Sequence, residues 1–207
     1  MKIVKIIKKI AIILVVIAFV LFPLPNSDLY FRVYFTNADP RATADIEGGT
    51  CALYYAVGSP NAFSGEQVVQ SDINQNSHCA TFKLDGSLAG KLTGLRFDFP
   101  NNDTLVCIYN ITVSSAGIIQ KQFNPCDFFV DENLIQINDI QDISLGTAMN
   151  RAYIKTGSTD PYVVFSDSLV AQITDGYSSY RLTRLCICLF IAAVYFMAKK
   201  NLFSKAE

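Results

Sequence analysis

Two alternating stretches of the chain combine aromatic rings with charged, hydrogen-bonding side chains. In LYFRVYF, residues 29–35, tyrosine or arginine occupies every second position, and in GLRFDF, residues 94–99, an arginine and an aspartate do so. Aromatic rings offer stacking platforms and the arginine fork offers paired donors, a combination suited to a sugar. Tyrosine also packs well at the rim of a sheet, which is a purely structural explanation. The residues that carry this carbohydrate-binding hypothesis are Tyr30, Arg32, Tyr34, Tyr54, Tyr55, Arg96 and Asp98.

Oxygen-bearing side chains are concentrated in LRFDFPNND, residues 95–103. Carboxylate and amide oxygens are the ligands that calcium prefers, so this segment would suit a structural calcium ion, and no other cofactor is indicated. Turn chemistry explains the same residues, because Asn and Asp hydrogen-bond readily to their own backbone in turns. We include Asn101 and Asn102 in the predicted binding site, and the cluster as a whole consists of Asp98, Asn101, Asn102 and Asp103.

Catalytic candidates are few, and we predict a protein without enzymatic activity. His78 is the only histidine, and a solvated loop residue is its simpler interpretation. A zinc site needs several His or Cys residues at ligand spacing, and the sequence contains no C-x-x-C. Glycoside hydrolysis needs two carboxyl groups roughly 5 to 10 Å apart, for which Asp131 with Glu132 or Asp139 with Asp142 are candidates. An acidic surface is the commoner explanation, so a surface glycoside hydrolase that uses carboxylates such as Asp98 is the alternative hypothesis.

Four of the six cysteines lie in the central part of the chain, and their pairing is open. Four thiols allow three connectivities. By sequence proximity alone we predict disulfides between Cys51 and Cys79 and between Cys107 and Cys126, in a compartment where disulfides persist. Cys107 also fits a free core thiol, because it shares a strand face with apolar neighbours.

The elements that must position these side chains are predicted to be strands. Leu29, Phe31, Val33 and Phe35 alternate with polar or aromatic residues, as in a half-buried strand. Residues 94–99 show the same period, whereas LVCIYNITV, residues 105–113, is apolar on nearly both faces, as expected of a central strand covered on both sides. Turn signals separate several more such runs. The prediction is an all-β fold, a β-sandwich of jelly-roll type.

The two ends of the chain are apolar and flanked by lysines. An apolar run follows four lysines near the N-terminus, and a second run precedes Lys199 and Lys200, while 17 of the 18 acidic residues lie between Asp28 and Asp175. Lys and Arg beside a span are retained in the cytoplasm, so this distribution predicts two transmembrane helices that flank an extracytoplasmic domain. The predicted location is the plasma membrane, with both termini cytoplasmic and the central domain outside. The predicted segments are a basic tail (1–9), a first span (10–25), the sandwich domain (26–181), a second span (182–198) and a second basic tail (199–207).

The segment KLTGLRFDFPNNDTLVCIYNITVSSAGI resembles the extracytoplasmic β-sandwich domains of bacterial membrane-anchored envelope proteins associated with cell-surface glycan synthesis or export. The resemblance rests on a strand with an Arg-x-Asp pair, a Pro/Asn turn and a following strand with a central NI, and it covers roughly residues 29 to 170. Many such proteins continue into a multi-span region, which implies a role beside a glycan-synthesis enzyme. This chain has one further apolar run, so no glycosyltransferase activity is expected of it.

The predicted function is therefore that of a membrane-anchored, non-enzymatic β-sandwich protein. Its expected partners are the lipid bilayer and either a cell-surface glycan or a multi-span envelope protein. The formal net charge is only -1, and the sequence has neither a basic patch nor a phosphate-cradling glycine loop. Nucleic acid is therefore excluded as a partner.

Overall fold

The computed structural model describes residues 26–36, 49–60, 62–100, 103–177 and 185–192. The chain divides into two units, of which Ser27–Ser178 is the larger and contains all the strands described below. The described residues of this unit form two antiparallel β-sheets, which confirms the prediction of an all-β fold.

The described residues contain eleven strands. One sheet has the order β4-β1-β6-β10-β9, with β7 paired to β6, and we call it the six-stranded sheet; the other has the order β3-β2-β5-β11-β8 and is the five-stranded sheet. The strands are β1 (Leu29–Phe35), β2 (Thr50–Val57), β3 (Val68–Asp72), β4 (Cys79–Leu84), β5 (Leu92–Asp98), β6 (Leu105–Ser115), β7 (Ile118–Phe123), β8 (Leu134–Asn138), β9 (Ile140–Gly146), β10 (Arg151–Thr156) and β11 (Tyr162–Phe165).

Three α-helices are described. Helix α1 (Pro125–Phe128) begins after Asn124, whose side chain accepts a hydrogen bond from the Cys126 N–H. Helix α2 (Asp167–Thr174) begins after Ser166, whose hydroxyl accepts one from the Leu169 N–H. Such caps satisfy N–H groups that the first turn of a helix leaves without partners. The described residues 185–192 are also helical, and we call them helix α3.

The alternation predicted for β1 is confirmed. Leu29, Phe31, Val33 and Phe35 are buried, and the residues between them are only half-buried. Because successive side chains of a strand point to opposite faces, this period places one apolar row against the other sheet. In β5 the same rule buries Leu95 and Phe97, with Phe99 just beyond its end.

The two sheets meet in one aromatic core. Phe82 of the six-stranded sheet packs edge-to-face against Phe97 of the five-stranded sheet, with ring centroids 5.6 Å apart. The ring of Phe128 in α1 packs against both Phe31 and Phe165. Each fully buried side chain of this size contributes roughly 1.5 to 3 kcal/mol, so the core is the main source of stability of the sandwich.

Strand β6 has the central position expected from its apolar sequence. It pairs with β1 along one edge, and along the other edge with β10 over Leu105–Ile108 and with β7 over Ile111–Ser115. Both of its faces are largely buried, since Val106, Cys107 and Ile108 are consecutive and fully covered.

All six cysteines lie in the described part of the chain and none of them forms a disulfide, so neither predicted disulfide is present in the structure. Cys51 lies on the inner face of β2 with Leu53, whereas Cys79 of β4 alternates with the inward-facing Ala80 and therefore lies on the outer face of the other sheet. Side chains on such different faces cannot reach disulfide geometry. Burial raises the pKa of both thiols and keeps them protonated.

The predicted two-span location in the plasma membrane is wrong. No helix among the described residues is both long enough and apolar enough to cross a membrane. Of the second predicted span, residues 182–198, the structure describes residues 185–192, which are helical and belong to α3. The first predicted span, residues 10–25, and both predicted basic tails lie outside the described residues.

Candidate functional site

The outer face of the five-stranded sheet brings polar and aromatic side chains from several strands into register. Asp98 of β5 lies beside Ala52 of β2 on one side and Tyr162 of β11 on the other. One step along the strands, Arg96 lies beside Tyr54. The opposite face of β5 carries Phe97 in the core, so the pleat itself turns Arg96 and Asp98 outward.

Arg96 is the centre of this surface. Its Nε and Nη2 atoms donate to the two carboxylate oxygens of Asp98, both at 2.7 Å, and Nη2 also contacts Asp160 Oδ1 at 3.2 Å. The side chains of Arg96 and Asp98 are only 20% and 16% exposed, while that of Asp160 is 56% exposed. A bidentate pair of this kind is rigid, because two parallel hydrogen bonds fix both planes.

Two tyrosine rings flank the same guanidinium. Its central carbon lies 3.5 Å from the centroid of the Tyr162 ring and 5.0 Å from that of Tyr54. Tyr162 is held in turn by Gln136, whose Nε2 donates to the tyrosine hydroxyl at 2.7 Å. Cation–π contacts favour this arrangement by about 0.5 to 1 kcal/mol at exposed sites. We call Tyr54, Arg96, Asp98, Asp160 and Tyr162 the Arg96 network.

The ionisation of Asp98 reflects two opposing effects. Burial raises the pKa of its carboxyl, while the hydrogen bonds and the charge of Arg96 act to lower it. Removal of Arg96 would leave only the effect of burial and the repulsion from Asp160. The charged state of Asp98 therefore depends on the arginine beside it.

A sharp turn after β8 positions Asp160. Asp139 has a left-handed φ of 49°, and its Oδ2 atom accepts hydrogen bonds from the backbone N–H groups of Thr159 at 2.7 Å and Asp160 at 3.1 Å. These bonds lower the pKa of Asp139. Gly157 lies in the loop between β10 and β11, where a Cβ atom would come within 1.9 Å of Asp139 Oδ1, so a larger residue there would displace the Asp139 carboxylate. Asp139 is thus a positioning residue for the network.

An open groove of about 490 Å³ runs beside the Arg96 network. Its lining includes Tyr54, Asp98 and Asp160 from the network, together with Thr50 and Gln70 from the neighbouring strands. Gln70 is exposed at the edge strand β3, and Ala52 on β2 lies directly between it and Asp98. We call this feature the sheet groove.

Of the six predicted binding residues, three meet in this site, one lies elsewhere and two are outside the described residues. Tyr54, Arg96 and Asp98 belong to the Arg96 network. Tyr55 lies on the opposite face of β2 and packs against the core. Asn101 and Asn102 lie outside the described residues. Tyr30, Arg32 and Tyr34 are on the outer face of the other sheet, where Arg32 donates to the Ser114 hydroxyl.

The predicted oxygen cluster does not form a metal site in the part of the chain that the structure describes. No group of three or more His, Cys, Asp or Glu side chains converges there. Asp98 is paired with Arg96, whereas Asp103 is paired with Lys155 of the six-stranded sheet at 3.1 Å. Two carboxylates that are each neutralised by a different cation are poorly placed to share calcium.

Sequence reasoning missed Asp160, Tyr162 and Gln70. A signal for Tyr162 is present, because it alternates with the buried Val163 and so belongs to the outer face of its strand. The pairing of β11 with β5 could not be predicted from the sequence, because the two strands are about sixty residues apart and their register depends on the assembled sheet. Of the carboxylates named for hydrolysis, Asp98 belongs to the Arg96 network, and Asp139 accepts the backbone hydrogen bonds described above.

Comparison with known proteins finds no family model that matches the chain, and no curated protein or solved structure that is similar to it. The function is therefore inferred from the geometry of the site.

Proposed function

We propose that this protein is a non-enzymatic carbohydrate-binding protein whose sheet groove binds a glycan. The observation that carries the proposal is the Arg96 network itself, in which one guanidinium orders two carboxylates and two aromatic rings beside an open groove. Ligand sites typically combine such a concave surface with a few well-placed polar groups.

Each side chain has a distinct role in this proposal. The Tyr54 ring offers an apolar face to the C–H groups of a sugar ring. The oxygens of Asp98 and Asp160 accept hydrogen bonds from sugar hydroxyls, and the Gln70 amide both donates and accepts. Because Arg96 already holds the carboxylates in place, little side-chain freedom is lost on binding.

The charges of the groove favour neutral or basic sugars. Asp98 and Asp160 outnumber Arg96, and Asp72 adds a third carboxylate where it accepts from the Thr50 hydroxyl at 2.6 Å. An anionic glycan would place its charge against this excess of negative charge. We therefore expect uronic-acid and phosphorylated glycans to bind weakly.

Glycoside hydrolysis is the second candidate. Asp98 Oδ2 and Asp160 Oδ1 both contact Arg96 Nη2, at 2.7 and 3.2 Å. These two oxygens are therefore no more than roughly 6 Å apart, near the ~5 to 5.5 Å separation of retaining glycosidases. The raised pKa of Asp98 favours an acid role. Binding without hydrolysis fits better, because Arg96 stabilises both carboxylates in their charged form.

Glycan-array binding of the full-length protein tests the proposal, with product analysis on every glycan that binds. We expect binding of neutral glycans without release of new reducing ends. Gln70→Ala should weaken binding roughly 3- to 10-fold, the equivalent of one hydrogen bond of about 0.5 to 1.5 kcal/mol. Gln120→Ala on the other sheet is the matched control. No bound glycan, or equal weakening by both variants, would show that the proposal is wrong, and released product would favour the hydrolase.

Two finer expectations from the sequence stay predictions. The jelly-roll assignment is a narrower statement than the two antiparallel sheets support. A multi-span envelope protein as partner is an alternative to a glycan. It would be favoured if the unchanged protein bound no sugar and Gln70→Ala lost a protein partner.

A further inference from the structure

The outer face of the six-stranded sheet has a cleft where one edge of β6 changes partner. Strand β10 pairs with this edge as far as Ile108, and β7 pairs with it from Ile111 onward. Tyr109 and Asn110 lie between the two pairings and form the floor of a cleft of about 400 Å³. This volume falls within the roughly 300 to 1,000 Å³ range of small-molecule sites.

Amide side chains dominate the cleft. Gln122 Nε2 donates to Asn110 Oδ1 at 3.0 Å, and Asn124 Nδ2 donates to Asn150 Oδ1 at 3.3 Å. All four residues line the cleft together with Tyr109. We call these five residues the amide cleft.

The positions of these amides are determined by the backbone. Asn124 caps helix α1 through its Oδ1 atom, which accepts from the Cys126 N–H at 3.0 Å. Asn150 has a left-handed φ of 52°, a conformation that asparagine tolerates better than most residues. Asn110 and Gln122 are on the adjacent strands β6 and β7. The cleft therefore presents its hydrogen-bonding groups in a largely fixed arrangement.

An exposed tyrosine completes the site. Tyr109 is 42% exposed, and its ring leans on Tyr34 of β1 with centroids 5.9 Å apart at 55°. A supported but open ring can stack against a ligand without first losing its own freedom. None of the described lining residues carries a charge.

We propose that the amide cleft is a second binding site, specific for a sugar residue of an uncharged glycan. A hydroxyl both donates and accepts, and so does each amide, which makes the two groups complementary. A charged ligand would lose hydration here without meeting an opposite charge. The site shares no residue with the sheet groove and does not depend on the function proposed there.

Side-chain NH2 resonances allow a direct test on the full-length, ¹⁵N-labelled protein. Cellotriose, maltotriose and chitotriose serve as neutral probes, and a trimer of galacturonic acid serves as the anionic comparison. At least one neutral probe should shift the NH2 signals of Asn110, Gln122 and Asn150 in a saturable way. The anionic trimer should bind at least 10-fold more weakly.

Variants distinguish the amide cleft from other surfaces. Gln122→Ala and Asn150→Gly should each weaken binding of the neutral probe at least 3-fold. Glycine is chosen at position 150 because it preserves the left-handed backbone. Gln120→Ala on the same strand and Gln70→Ala in the sheet groove should leave binding at the cleft unchanged. The proposal is overturned if no neutral probe shifts these NH2 resonances, or if the anionic trimer binds as tightly as the neutral probe. It is also overturned if the two control variants weaken binding of the probe as much as the cleft variants do.

Discussion

Replacement of Arg96 by methionine should destabilise the protein in a pH-dependent way. Methionine keeps much of the length of the side chain but removes the guanidinium, so Asp98 keeps its burial and loses two hydrogen bonds of 2.7 Å. Breaking a fully buried ion pair costs about 3 to 5 kcal/mol. Because both partners keep some exposure, we expect a loss of about 2 to 4 kcal/mol near neutral pH, including the lost contacts with the tyrosine rings.

The sign of the pH dependence follows from Asp98. Burial already raises the pKa of its carboxyl above the ordinary 3.8, and without Arg96 that rise becomes larger. At a pH between the unfolded-state and the folded-state pKa of Asp98, the folded state binds more protons than the unfolded state. The stability of the variant therefore falls as pH rises from the lower pKa to the higher one. Below the unfolded pKa the carboxyl is protonated in both states. The loss caused by Arg96→Met should therefore shrink to about 1 kcal/mol under acidic conditions, mainly from the missing ring contacts.

Urea unfolding followed by far-ultraviolet circular dichroism measures this effect, and it suits a chain that contains no tryptophan. Arg32→Met is the matched control, because Arg32 donates to the uncharged hydroxyl of Ser114. The stability lost in this variant should therefore be the same at every pH. Adding Asp98→Asn to Arg96→Met should flatten the pH dependence. An equal loss at every pH, or a loss below about 0.5 kcal/mol near neutrality, would refute the argument.

Two further predictions concern the supports of the site. Phe97→Ala removes a ring that packs edge-to-face on Phe82 and Phe99, so the free energy of unfolding should fall by about 3 to 5 kcal/mol in the same urea assay; a loss under about 1 kcal/mol would contradict the central place of this ring in the core. Gly157→Ala places a methyl group against the Asp139 carboxylate, so it should cost roughly 1 to 3 kcal/mol and weaken glycan binding at the sheet groove by displacing Asp160. Unchanged stability and binding in this variant would show that the turn does not position the groove.

The sequence predicted the strands well wherever alternation was strong. The apolar row of β1 and the burial of Leu95 and Phe97 follow from a period of two, which depends only on local backbone geometry. The central position of β6 was likewise readable, because a strand covered on both faces must be apolar on both. The same reasoning placed Arg96 and Asp98 together on the outer face.

Predictions that depended on contacts between residues far apart in the sequence were less successful. Proximity in the sequence suggested that Cys51 pairs with Cys79, but these residues lie in different sheets and on different faces. Two adjacent tyrosines, Tyr54 and Tyr55, looked equivalent as binding residues, although neighbouring positions of a strand must point to opposite faces. The apolar C-terminal run suggested a span, whereas no helix among the described residues is both long enough and apolar enough to cross a membrane.

The amino-acid sequence by itself determined the all-β class, the apolar rows of β1 and β5 and the outward direction of Arg96, because these depend on the alternation of neighbouring side chains. Only the tertiary structure decided what Arg96 contacts. Tyr162 and Asp160 reach it from β11 and the turn before it, more than sixty residues away along the chain, through strand pairing and the hydrogen bonds of Asp139. Register between distant strands is a property of the assembled sheets, in which burial of the whole core selects one pairing among many that the local sequence permits.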